Sequence, residues 1–160
     1  MFSHCFASWS IQKWLDAQPL PISKHVLNPY NREFPFYTTE LIQQIAVDFT
    51  IPIETLDQSV DSLYLIDYFL IANVSIIDER FVKEHILKLI ACVGEVYRAN
   101  REGNWLMILD EDQETWEPKL QGKSGQVHSS FIGYIYSTLM EDDYPSIRSC
   151  YLFSDNNSTI

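Results

Sequence analysis

Apolar residues recur along this chain at two spacings, and the change from one to the other divides it. From Thr38 or Thr39 onward, Leu41, Ile42, Ile45, Ala46 and Phe49 repeat every three or four residues, which predicts a helix with one buried stripe. Pro52 ends it, because the residue before a proline resists helical geometry. A second helical pattern runs over residues 59–72. Leu63, Ile66 and Leu70, with Tyr64 and Ile71, give its apolar side. Asp57 and Ser59 are candidate N-caps, and Asp61 adds negative charge in the first turn, where the helix dipole favours it. The most regular pattern covers residues 78–100, with Asp78 as N-cap. Val82, Ile86, Leu89, Val93 and Val96 advance by fours and threes, and Leu87, Ile90 and Ala91 widen the face, so this helix is expected at the centre, packed on two sides. Glu84 and Lys88 stand in the favourable i,i+4 order, a pair worth about 0.2–0.5 kcal/mol. Gly94 interrupts the pattern at a cost of about 0.5–1 kcal/mol relative to alanine, and the expected compensation is close approach of a neighbouring helix or strand.

After Gly103 the period shortens. Trp105-Leu106-Met107-Ile108-Leu109 reads as a strand, residues 110–114 as a polar turn, and Thr115-Trp116-Glu117-Pro118-Lys119-Leu120 as a returning strand, with Pro118 near an edge. A last helix is predicted from Ser129 or Ser130 to Met140, burying Phe131, Ile132, Ile135 and Leu139. Residues 146–153 read as a further strand and 154–160 as a disordered polar tail. At the other end, residues 8–17 read as a short helix with Trp9, Trp14 and Leu15 on its apolar face, stopped by Pro19 and Pro21. Residues 20–37 read as loop, pinned by Tyr30, Phe34, Phe36 and Tyr37. The organisation expected is an aromatic, proline-rich extension over 1–37 and one α+β domain over 38–153, a helix-rich layer packed on a small antiparallel hairpin.

With 160 residues, 46% of them hydrophobic, the chain can bury a core that needs neither disulfide nor metal. Its 22 acids against 11 bases give a charge of −11, which repels phosphate and argues against nucleic-acid and anionic-membrane partners. The apolar run over residues 63–74 is broken by Asp67 and Asn73 and is too short to cross a membrane. The first residues lack the positive charge and apolar run of a signal peptide. The three cysteines, Cys5, Cys92 and Cys150, are odd in number and form no CxxC, so a cytoplasmic, reducing location is expected, with Cys92 a small buried hydrophobe.

No phosphate loop, dinucleotide fingerprint, HExxH or GxSxG occurs. His4, His25, His85 and His128 are scattered without a partner at i+3 or i+4, and the 110–114 turn lacks the glycine and final glutamate of a calcium loop. Neither metal nor cofactor is expected, and no catalytic residue is assigned. The candidate contact residues are Glu95, Arg98 and Trp105 at the helix–hairpin junction, with Trp14 in the extension. Glu95 reads in two ways: as a carboxylate anchoring the junction, by pairing with Arg98 or accepting hairpin N–H bonds, or as an acid, base or ligand contact.

Leu56-Asp57-Gln58-Ser59-Val60-Asp61-Ser62-Leu63, then Gly94-Glu95-Val96 and Asn100, then Trp105, resemble a family of uncharacterised bacterial α+β domains. There a Leu-Asp and Ser-Leu start opens a helix, and a Gly-Glu helix precedes a Trp-led strand. The resemblance covers residues 50–125 and implies a small α+β domain without supplying catalytic residues. The expected function is a non-enzymatic interaction, regulatory or immunity-type module with a protein partner of basic character. The alternative is a small enzyme or ligand-binding domain with Glu95 beside a pocket at the junction.

Overall fold

The long helix is started by its own sequence. Asp78 Oδ1 accepts the Phe81 N–H at 2.9 Å, Glu79 lies in the first turn, and Arg98 and Arg101 lie in the last, each sign placed to suit the helix dipole. In the computed structural model, which describes residues 27–127 and 131–157, this helix (α3, Glu79–Arg101) is the axis of a helix-rich α+β fold. Before it come a 3-10 helix at Asn31–Tyr37, α1 (Thr38–Asp48) and α2 (Leu63–Ala72). After it come β1 (Asn104–Leu109), β2 (Trp116–Gln121), α4 (Phe131–Glu141) and α5 (Ile147–Asn157). Helix α3 packs against α1 on one side and against α4 and α5 on another, and α2 leans on α5. Val82, Ile86, Leu89, Ile90, Ala91 and Val93 are fully enclosed. The predicted helix over 8–17, with Trp9 and Trp14, lies outside the described residues, as does the end of the tail.

The two strands form an antiparallel hairpin in which Trp105 pairs with Leu120 and Met107 with Pro118. Asp112 organises the acidic turn. Its Oδ1 accepts the N–H groups of Glu114 and Thr115 at 2.9 and 2.8 Å, and its Oδ2 accepts the Thr115 hydroxyl. Residues 31–37, read above as loop, are a 3-10 helix instead. Asn28 explains the difference: it is buried and donates from Nδ2 to the Trp116 carbonyl at 2.5 Å, while its Oδ1 accepts the Tyr30 N–H at 3.2 Å. A side chain thus ties this segment to β2 across 88 residues of sequence.

Three further expectations need correction. Residues 146–153 are not a strand but the start of α5. The run is rich in residues that suit either state, and the decision comes from outside it. Asp67 of α2 accepts the Ile147 N–H at 2.8 Å and the Ser146 hydroxyl at 2.6 Å, while Ser146 Oγ accepts the Ser149 N–H at 3.0 Å. Together these satisfy the first N–H groups of a helix that buries Ile147, Cys150 and Tyr151. Second, Lys88 bonds Asp48 of α1 at 2.6 Å rather than Glu84. Third, Tyr64 and Ile71 do not join the buried side of α2. They are 45% and 38% exposed, while Leu63, Ile66 and Leu70 are buried.

Burial raises Asp67 from 3.8 to about 6, against the bonds from Ser146 and Ile147, which favour its charge. The folded state therefore holds the proton more tightly than the unfolded chain. The stability from this group is fully present below about pH 4 and is lost as pH rises through about 6. Relative to Asp67→Asn, the parent protein should lose up to about 3 kcal/mol between pH 4 and 7, two pH units at 1.36 kcal/mol each. Urea unfolding of both proteins across that range checks this, and parallel curves would refute it.

Candidate functional site

Gly94 is where the hairpin meets α3. A Cβ built there would lie 2.0 Å from Trp105 Cη2 and 2.2 Å from Cζ2, so the indole occupies the space a side chain would need. This is the close approach by a strand that the sequence led us to expect. Trp105 is held on two further sides. Its ring meets Phe34 edge-on at 5.0 Å between centroids, and its Nε1–H donates to Glu95 Oε2 at 2.7 Å. Both oxygens of Glu95 also accept from Arg98 Nη1 at 3.0 Å. Three of the four sequence-selected residues are thus brought together, and the fourth, Trp14, lies outside the described residues.

The arrangement restricts what Glu95 can do. Its side chain is 12% exposed and its lone pairs face two donors. Proton transfer or ligand binding there would first have to break a charge-assisted pair and leave the indole N–H without a partner, at a cost of about 1–3 kcal/mol. Glu95 also borders a half-open cleft with Ile42, Leu56, Gln58, Ser62 and Cys92. The cleft has a volume of about 10 Å³, room for about one water molecule, against the roughly 300–1,000 Å³ of pockets that enclose small molecules. Cys92, on its wall, is no nucleophile, because burial pushes its thiol up to about 12. Asn100 closes one end by donating to the Gln58 carbonyl at 2.8 Å and the Val96 carbonyl at 2.7 Å, which fixes the loop before α2 onto α3.

His85, read from the sequence only as one of four scattered histidines, is a titratable group in the core. It is buried beside Phe49 and Phe81, and its Nδ1 lies 3.6 Å from Asp48 Oδ2. Burial and then the Lys88 charge hold it below the usual histidine range, against Glu84 and Asp48, which favour its charge. Among the described residues no three His, Cys, Asp or Glu side chains are grouped to hold a metal ion, and no helix is long and apolar enough to cross a membrane.

The outer face of α2 is a different kind of site. Tyr64, Tyr68 and Ile71 recur at i, i+4 and i+7 and are 45%, 70% and 38% exposed. Val74 and Ile76 in the next turn are also exposed. Helix α2 is therefore apolar on both sides, and its one acidic or basic residue, Asp67, is buried on the inner side. The sequence signal for this face was legible as a helix with too many apolar positions for one buried stripe.

Two results would check the junction. Gly94→Ala should gain about 1 kcal/mol of helix propensity but lose more by displacing Trp105, with a net destabilisation of about 1–3 kcal/mol in denaturant unfolding. A double-mutant cycle of Glu95→Ala and Trp105→Phe should show a coupling of about 0.5–3 kcal/mol, and additive effects would mean that Glu95 is not spent on anchoring the indole. No family model, curated protein or solved structure matches this chain, so the resemblance read from residues 50–125 finds no counterpart among them and the functional reading rests on the residues themselves.

Proposed function

We propose that this protein is a non-enzymatic interaction module. The observation that carries the reading is the exposed stripe of Tyr64, Tyr68 and Ile71 on α2. A helix apolar all round is normally enclosed, and a water-facing stripe of tyrosine and isoleucine at helical spacing has the composition of a contact surface. Contiguous apolar faces on soluble chains mark sites of association more often than scattered single residues do. The state of Glu95 supports the same reading from the other side, because its oxygens are used to hold Arg98 and Trp105. The alternative of a small enzyme centred on Glu95 has against it both the locked carboxylate and a cleft with room for about one water.

Affinity capture with tagged protein at physiological salt tests the proposal. A stoichiometric protein partner is expected. Tyr68→Glu should keep the fold, with unfolding free energy within about 0.5 kcal/mol of the parent because the side chain is largely in solvent, and should lose the partner. Repeated captures that recover nothing would remove the reading.

A further inference from the structure

From Glu33 to Glu79 the chain carries nine acids and not one lysine, arginine or histidine. The exposed stripe of α2 lies inside this stretch. Asp61 continues the stripe toward the N-terminus, at i−3 from Tyr64, and its side chain is 84% exposed. Asp57 stands just before it, held below the usual carboxylate range by the Ser59 side chain and N–H, and so stays charged. Past the other end, the exposed Asp78 and Glu79 follow Ile76, and the exposed Arg80 comes directly after them. Arg148 of α5 meets this surface: its guanidinium lies 4.2 Å above the Tyr64 ring and 3.8 Å from Asp61 Oδ1, which partly offsets the Asp61 charge. Along the chain two acids precede this apolar strip and two follow it, against Arg148 beside its start and Arg80 after its end.

The geometry points to an amphipathic helix of another protein, with lysine or arginine flanking its apolar stripe, as the occupant of this face. This rests on the interaction reading above and names its partner's chemistry. A helix fits because α2 presents residues at i, i+4 and i+7, the ridge that seats in the groove of a second helix. Basic flanks fit because the acids outside the strip would meet them across the rim, where opposite charge steers and orients docking. A second copy of this chain is disfavoured by the same charges. Two α2 helices packed antiparallel about a two-fold axis would set Asp57 and Asp61 of one against Asp78 and Glu79 of the other, in chains that each carry −11. An anionic lipid surface is disfavoured likewise.

The test selects a displayed library of helical peptides against the full chain. Each peptide keeps a leucine stripe at i, i+3, i+4 and i+7, with flanking positions drawn from Lys, Glu and Gln. Lysine should be enriched at the flanks. The selected peptides should bind Tyr68→Glu at least about tenfold more weakly than the parent, a difference of 1.4 kcal/mol. Their binding should weaken as salt rises, and Asp61→Lys should shift the preference from Lys toward Glu. Glutamate- or glutamine-flanked peptides, binding indifferent to Tyr68→Glu, or no recovered peptide would each overturn the assignment. So would a concentration-dependent dimer in sedimentation that Tyr68→Glu abolishes, since a second copy would then be the occupant. A captured natural partner indifferent to Tyr68→Glu would sink this docking face and leave the interaction reading standing. Lysine-flanked peptides selected on the face while capture recovers no natural partner would do the reverse.

Discussion

Helix α3 can be central only if something covers it on every side, and the point where cover is hardest to provide is Gly94. Helices α1, α4 and α5 supply ordinary side-chain packing along most of its length. At its C-terminal third the cover is a flat indole from the hairpin, and the absence of a side chain at Gly94 is what admits it. The remaining contacts at this corner follow from that placement. Phe34 brings the 3-10 segment against the ring, Glu95 takes the indole N–H, and Arg98 neutralises Glu95. A glycine that weakens the helix locally lets a strand, a 3-10 helix and α3 share one junction.

Polar ties of long sequence separation do the same work elsewhere. Asp67 reaches from α2 to the start of α5, Asn28 from the first described turn to β2, and Asn100 from α3 to the loop before α2. Each satisfies backbone groups that the chain's local structure leaves open. Asp67 does so at the expense of its own charge, since burial pulls it toward the neutral acid. The result is a fold whose helices are oriented by a few polar side chains, the buried Asp67 and Asn28 and the exposed Asn100, over an apolar core.

The inner and outer sides of α2 show how stability and function divide on one element. Its inner side buries Leu63, Ile66 and Leu70 and delivers the Asp67 cap. Its outer side is also apolar but largely open to water, with the Arg148 guanidinium over Tyr64, and the sequence from Glu33 to Glu79 around it holds no lysine, arginine or histidine. The junction at Glu95, by contrast, is complete in itself. An exposed apolar surface and a carboxylate that already has two partners are together the basis for the proposal that this chain binds rather than catalyses.

Much of the architecture was legible in the sequence, because helical and strand periods are local properties. The stripes of α1, α3 and α4, the Asp78 and Ser59 caps, the hairpin and the need for close approach at Gly94 all follow from spacing and from the chemistry of single residues. The candidate site was legible in part: Glu95, Arg98 and Trp105 were picked out by proximity along the chain, and they do converge. What the sequence could not decide depended on partners far away along the chain. Residues 147–157 form a helix because Asp67 caps them, Lys88 turns to Asp48 because α1 brings a carboxylate within 2.6 Å, and Tyr64 and Ile71 stay exposed because α2 turns Leu63, Ile66 and Leu70 to the core instead. Periodicity says that a residue is apolar and which of its neighbours share its face. Only the packing of the elements says whether that face meets the core or the solvent.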